Sequence, residues 1–196
     1  MWTCIIIGLL VLVVIGFFQA AKKTSKSKHE KEKELSDKYN LDESNELFSA
    51  KYLGGHPSIN NNGDLRVFHK NNQLVLVSFF TELVSDDKVG QYDKYDFYIC
   101  GSIDFASIKE VTLEDQSTIE NRITVGRMLL VGPLAFAWKK KEKIESAYLI
   151  LDWNDGTFNH KTLFEFTGSS SMQKANTARN KLINTVKKSE IIRDTQ

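Results

Sequence analysis

An apolar run without a charged residue extends from Trp2 to Phe18 and limits the folds open to this chain. Continued to residue 21 as a helix that rises 1.5 Å per residue, it reaches about 30 Å, the hydrocarbon thickness of a bilayer. Trp2 lies where an interfacial aromatic is expected, and Lys22 and Lys23 follow at the other end. The sequence therefore predicts a transmembrane anchor over residues 1–21, with Trp2, Lys22 and Lys23 at the membrane interfaces.

A cleaved signal peptide is the alternative explanation of this run. Such a peptide has a basic segment, a shorter apolar core and a small-x-small cleavage site. Here only the α-amino group precedes the run, and residues 17–21 match the cleavage site poorly. A lipoprotein signal would place its cysteine after the run, but Cys4 lies near its start. We therefore expect an uncleaved anchor.

Charge sets the expected orientation of the anchor. No lysine or arginine precedes the run, whereas a cluster follows it, made up of Lys22, Lys23, Lys26, Lys28, Lys31 and Lys33. The positive-inside rule then places everything after the anchor in the cytoplasm. The predicted localisation is the cell membrane, single-pass, with a cytoplasmic C-terminal domain. An inverted topology, which would make this an extracytoplasmic cell-envelope protein, stays open.

Residues 22–48 are predicted to form a charged linker that is partly helical. The segment 29–39 has the pattern of a solvated helix, in which Glu34 and Lys38 form an (i, i+4) pair. Leu35 and Tyr39 share a face but do not make a sustained heptad, so no coiled coil is indicated. Beside a membrane, each lysine would contribute roughly 1 kcal/mol of attraction to anionic lipid.

Length and composition restrict the remainder, residues 49–196, to one domain with its own core. The chain of 196 residues has a net charge of +1, so we expect no nucleic-acid partner. Of its two cysteines, Cys4 lies in the predicted anchor and Cys100 in a predicted strand, so we do not expect them to meet. The absence of a disulfide framework agrees with a reducing compartment. Neither has a partner at CxxC or CxxH spacing, and we expect no metal and no cofactor.

Two-residue alternation predicts that this domain is mainly β. After a turn-rich segment at 52–57, hairpin signals occur at Asn71-Asn72, Gly132-Pro133 and Asn154-Asp155-Gly156. The predicted strands are 65–69, 73–80, 95–100, 105–114, 122–131, 134–141, 145–153 and 160–167, with a polar loop at 81–94. About eight strands without a helix between them imply an antiparallel barrel or sandwich.

A C-terminal helix is predicted at about 171–188. Ser169 to Ser171 offer an N-cap. One face of the helix is apolar, formed by Ala175, Ala178, Leu182, Ile183 and Val186. The expected fold class is therefore mainly β with a C-terminal helix, preceded by one transmembrane helix, and the helix covers an open end or face of the sheet.

This order of elements resembles the pleckstrin-homology superfold, including bacterial PH and GRAM-type domains. The closest segments are Phe105–Val111, the hairpin at 124–141 and Thr162–Phe166, and the resemblance covers about 63–188. It implies binding of phospholipid headgroups, peptides or proteins without catalysis. Lipid-binding members gather basic residues in the loop after the first strand, where this chain has Lys70 beside two asparagines.

The candidate contact residues for anionic lipid or a partner are Lys139, Lys140, Lys141 and Lys143, beside Trp138. The alternative for them is a solvated turn. No HExxH, phosphate-loop or nucleophile-elbow motif is present. We expect a non-catalytic binding or scaffolding module with the lipid bilayer and an unidentified protein as partners. A membrane-tethered enzyme is the second hypothesis, and it requires a polar pocket where His56 meets the Asp86-Asp87 loop.

Overall fold

The computed structural model describes residues 2–88, 90–115, 117–119 and 145–194. The chain divides into two compact units, one of residues 1–42 and 79–98 and another of residues 43–78 and 99–196. In chain order the elements are α1 (Trp2–Tyr39), β1 (Glu46–Gly54), β2 (Gly63–Lys70), β3 (Gln73–Asp86), β4 (Gly90–Asp104), a 3-10 turn (Phe105–Ser107), β5 (Ile108–Asp115), β6 (Ser146–Asn154), β7 (Asn159–Thr167) and α2 (Ser171–Asp194).

Helix α1 is continuous through the boundary that the sequence suggests between anchor and linker. It ends at Tyr39, and the next residue, Asn40, adopts a left-handed conformation with φ of 50°. The backbone N–H of Asn40 donates to the carbonyl oxygen of Ser36 at 2.8 Å, a C-cap that asparagine tolerates better than most residues. Strand β1 then begins at Glu46, inside the segment 22–48 that the sequence assigns to the linker.

The prediction of a polar loop at 81–94 is wrong. Strand β3 continues to Asp86 and β4 starts at Gly90, so only a tight turn separates them. The acidic and lysine side chains that suggested a loop fall among the half-buried tyrosines and phenylalanines of a long hairpin. Residues 79–98, which form the outer part of this hairpin and belong to the first unit, are here named the arm.

The described strands form one open antiparallel sheet of seven strands with the order β4-β3-β2-β1-β7-β6-β5. The prediction of a mainly β fold with a C-terminal helix is confirmed, but the described strands form one open sheet where the sequence predicted a barrel or sandwich. Two hairpins are also confirmed: β2 pairs with β3 around Asn71 and Asn72, and β6 pairs with β7. Asn71 and Asn72 have φ of 49° and 62°, the left-handed pair that a two-residue turn of type I′ requires.

The core of the second unit lies between the sheet and α2. Phe48 contacts Phe164 with ring centroids 5.3 Å apart, and Tyr52 lies beside the same ring at 6.2 Å. Helix α2 places small buried residues, Ala175 and Ala178, against this cluster, which lets its backbone approach closely. Leu182 is also buried and Ile183 is half-buried, so the predicted apolar face is confirmed while the helix extends beyond 188.

Candidate functional site

Between Leu10 and Phe18, helix α1 exposes apolar side chains all around the helix. The exposed fraction of these side chains runs from 46 % for Ile15 to 78 % for Phe17. Leu10 to Ile15 are consecutive, and at about 3.6 residues per turn they cover every side of the helix. A helix that is apolar all round differs from a surface helix, which has one apolar stripe and a polar remainder.

The residues predicted at the membrane interfaces fall within α1. Lys22 is exposed and Lys23 is half-buried, whereas the side chain of Trp2 lies outside the described part. Across the described ranges, no helix combines the length and the apolar character needed to cross a membrane. The transmembrane span over residues 1–21 stays a prediction.

Polar contacts join the arm to α1 along three turns of the helix. The ammonium group of Lys23 pairs with the carboxylate of Asp86. Ser27 Oγ accepts a hydrogen bond from the backbone N–H of Tyr95 at 3.1 Å. One turn later, Lys31 Nζ lies 3.3 Å from Asp96 Oδ1. The spacing of four residues places all three side chains on one side of the helix.

The ionised forms of Lys31 and Asp96 are favoured by this arrangement. A hydrogen bond to Glu34 is the main cause that raises the pKa of Lys31, and Asp96 adds to it. Partial burial works against ionisation of Asp96, but hydrogen bonds from the Phe97 backbone N–H and from Lys31 outweigh it and lower the pKa of Asp96. Both groups stay charged at neutral pH, so the contact persists there.

Lysines of α1 also lie over aromatic rings of the arm. Lys23 Nζ is 4.4 Å from the ring centroid of Tyr92, and Lys28 Nζ is 5.8 Å from that of Tyr95. Within the arm, the rings of Phe79 and Tyr95 stack at 5.2 Å. Cation–π contacts at exposed sites contribute roughly 0.5–1 kcal/mol each. This surface was not predicted from the sequence, although the spacing of the aromatic residues in the arm was a signal for it.

An open groove of about 740 Å³ separates the apolar part of α1 from the arm. On the helix side its lining includes Val13, Phe17 and Ala20, and on the arm side Leu83 and Tyr92. A Cβ atom added at Gly16, which also lines the groove, would meet no atom within 4 Å. The groove therefore offers an apolar wall beside lysine and tyrosine side chains, a combination suited to an amphipathic partner.

His56 lies in the second unit, where it is buried and held by the backbone. Its Nδ1 accepts a hydrogen bond from the N–H of Ser58 at 3.2 Å. Its Nε2 then carries the proton and donates to the carbonyl oxygen of Ser102, also at 3.2 Å. Burial lowers the pKa of His56, because it disfavours the charged ring more than the Ser102 contact favours it.

Aromatic stacking continues from His56 to the β6–β7 hairpin. The Trp153 ring stacks on His56 at 5.3 Å and on His160 at 4.5 Å. Trp153 Nε1 donates to Thr162 Oγ1 at 2.9 Å, so its polar edge is satisfied inside the core. His160 in turn lies 2.7 Å from Asp155 Oδ2.

The carboxylate of Asp155 organises the turn between β6 and β7. The backbone N–H of Phe158, the His160 ring and the N–H of Thr157 together lower the pKa of Asp155 to about 2. These are the contacts of a hairpin turn, in which an acid satisfies orphan N–H groups. The geometry gives both His56 and Asp155 structural partners.

Asp86 and four lysines were also singled out in the sequence. Asp86 Oδ1 accepts from the N–H of Lys88 at 2.9 Å in the arm turn, and Asp86 belongs to the first unit whereas His56 belongs to the second. Lys139, Lys140, Lys141 and Lys143, with the hairpin across Gly132-Pro133, lie outside the described residues. Of the His, Cys, Asp and Glu side chains in the described ranges, no group of three could hold a metal ion.

A smaller groove of about 370 Å³ lies between α2 and the β1 and β7 strands. Phe48 and Phe166 line it from the strands, and Lys174 and Lys181 line it from the helix.

Comparison of the chain with protein-family models, with curated proteins and with solved structures found no match.

Proposed function

We propose that this protein is a non-catalytic binding module anchored in a lipid bilayer by the apolar run Trp2–Phe18. The observation that carries the proposal is the exposure of Leu10 to Phe18 on every side of α1. Each large apolar side chain removed from water contributes about 1.5–3 kcal/mol, so a bilayer stabilises this segment strongly. The lysines that follow the run favour a cytoplasmic location of the rest of the chain.

The β-rich unit is proposed as the binding part, with a pleckstrin-homology-like fold. Support comes from the seven-stranded antiparallel order and from α2, which covers the sheet through Ala175, Ala178 and Leu182. The His56 ring has both nitrogens engaged by backbone groups, which supports a structural role for it. Anchoring would raise the effective concentration of this unit for a protein partner at the membrane.

Vesicle flotation of the full chain tests the anchor. The wild-type protein should float with phosphatidylcholine vesicles, and Leu12→Asp combined with Ile15→Asp should abolish flotation. The charge would then lie within the hydrocarbon, at a cost of roughly 2.5–3.5 kcal/mol for each residue near the centre. His29→Asp, at an exposed position of the same helix, is the matched control and should float normally. A wild-type chain that stays with the soluble fraction refutes the proposal.

The topology is tested separately by cysteine labelling. A full chain with Cys4→Ser, Cys100→Ser and Thr177→Cys carries one thiol at an exposed position of α2. In intact cells this thiol should resist a membrane-impermeant maleimide and react only after permeabilisation. Labelling in intact cells would show instead that the β-rich unit faces outward, as in the cell-envelope alternative.

A further inference from the structure

We propose that the tip of the arm is a second membrane contact, which inserts into the headgroup layer of the same bilayer that holds α1. This inference rests on the proposed anchoring of α1. It concerns Leu83, Ser85 and Tyr92, on the two strands that lead to the turn. The partner is the surface of a zwitterionic phospholipid bilayer.

The position of the tip is fixed by contacts inside the first unit. Lys23 both pairs with Asp86 and lies over the ring of Tyr92. Lys23 follows Phe18 by about 7–8 Å along the helix axis at 1.5 Å per residue. The arm therefore meets α1 at the level where the apolar run gives way to lysines, which is the level of the headgroups once the run is inserted.

The side chains near the tip suit that layer. Leu83 is 63 % exposed, on the part of β3 that lies beyond its buried first half. Tyr92 combines an aromatic ring with a hydroxyl, the amphipathic character that concentrates tyrosine at membrane interfaces. Leu83 and Tyr92 both line the groove of about 740 Å³ beside Val13 and Phe17. Insertion would fill this apolar groove with lipid.

Charge decides which lipid the tip accepts. Over residues 82–94 together with Lys22 and Lys23, the formal charges cancel, because four lysines are matched by four carboxylates: Lys22, Lys23, Lys88 and Lys94, and Glu82, Asp86, Asp87 and Asp93. Balanced charge gives no electrostatic preference for anionic lipid. The contact therefore depends on Leu83 and Tyr92, and it should form on phosphatidylcholine alone and persist at high salt.

Depth-dependent quenching in vesicles tests the inference with the full chain. In a Cys4→Ser, Cys100→Ser background, an environment-sensitive fluorophore is attached to Leu83→Cys, Ser85→Cys, Leu12→Cys or Phe158→Cys. The quenchers are phosphatidylcholines with a nitroxide on the headgroup or deep in the acyl chain. Phe158 is the matched control, because at 65 % it is as exposed as Leu83 but lies in the second unit.

The expected result is a loss of fluorescence at Leu83 and Ser85 with the headgroup quencher, and at Leu12 with the acyl-chain quencher. Phe158 should keep its fluorescence with both. If the Leu12 probe is quenched while both arm probes stay as bright as the Phe158 probe, the inference is overturned and the proposed anchor stands. Equal quenching of the arm probes and Phe158 also overturns it. If Leu12 is not quenched, the proposed anchor itself fails.

Discussion

Replacing Gly101 by alanine tests whether His56 is held as tightly as the structure indicates. A Cβ atom at this position would lie 2.5 Å from His56 Cε1 and 3.0 Å from its Nε2. The ring cannot turn aside easily, because both of its nitrogens are hydrogen-bonded and one of its faces stacks on Trp153. Overpacking of such a site costs about 1–3 kcal/mol.

The cost should appear in thermal and urea denaturation of the full chain in detergent. For a chain of this size, each kcal/mol lowers Tm by about 2–4 °C. Gly63→Ala is the matched control, since a Cβ there meets no atom within 4 Å, and it should leave stability within about 0.5 kcal/mol. The contrast between two strand glycines separates the clash from the general effect of adding a methyl group.

A double-mutant cycle makes the reasoning refutable. His56→Ala alone removes a buried ring and should be destabilising, but it also removes the atoms that the new methyl group would strike. The double variant should therefore lose less free energy of unfolding than the sum of the two single variants. Additive losses would show that the cost of Gly101→Ala does not arise from the His56 ring. A Gly101→Ala protein as stable as the control would show that the ring is free to move away.

Three further measurements follow from the same contacts. Burial lowers the pKa of His56, so below the ordinary value of 6.5 the unfolded chain binds more protons than the folded chain. The free energy of unfolding should therefore decrease as the pH falls below 6.5. His56→Gln should flatten that pH dependence in urea titrations. The Asp155 carboxylate, with a pKa of about 2, should add a separate loss only at pH below its ordinary 3.8, absent in Asp155→Asn. Trp153→Phe leaves Thr162 Oγ1 without its donor inside the core and should cost about 1–3 kcal/mol in thermal denaturation, whereas Phe158→Leu, at an exposed ring, should cost little.

The hairpins could be predicted from sequence because their turns are specified locally. Asn71-Asn72 supplies two residues that tolerate positive φ, and the alternation on either side fixes the register of β2 and β3. Asp155 and Gly156 do the same between β6 and β7, where the acid accepts backbone N–H groups. The face of α2 was equally visible, since Ala175, Ala178 and Leu182 recur at the helical period.

The arm could not be predicted in this way, because its polar residues depend on contacts distant in sequence. Asp96 looks like a loop residue until Lys31 is placed beside it, at 3.3 Å and far away along the chain. The same holds for Tyr95, whose backbone N–H is satisfied by Ser27. The pattern of neighbouring residues in the sequence shows only that such residues are polar, so it predicts a loop. The burial of His56 depends in the same way on distant residues, because Trp153 and Gly101, which lie against its ring, are far away along the chain.

The continuity of α1 explains why the charged segment after the apolar run is more than a spacer. Its lysines at positions 23, 28 and 31 lie over arm rings, and two of them also pair with arm carboxylates. These lysines therefore couple the arm to the helix that carries the apolar run. A change that breaks both ion pairs from the arm side, such as Asp86→Ala with Asp96→Ala, should release the arm without altering insertion of the run. The quenching at Leu83 should then fall while that at Leu12 stays constant, and a simultaneous loss of both would mean that the arm is needed for the anchor to insert.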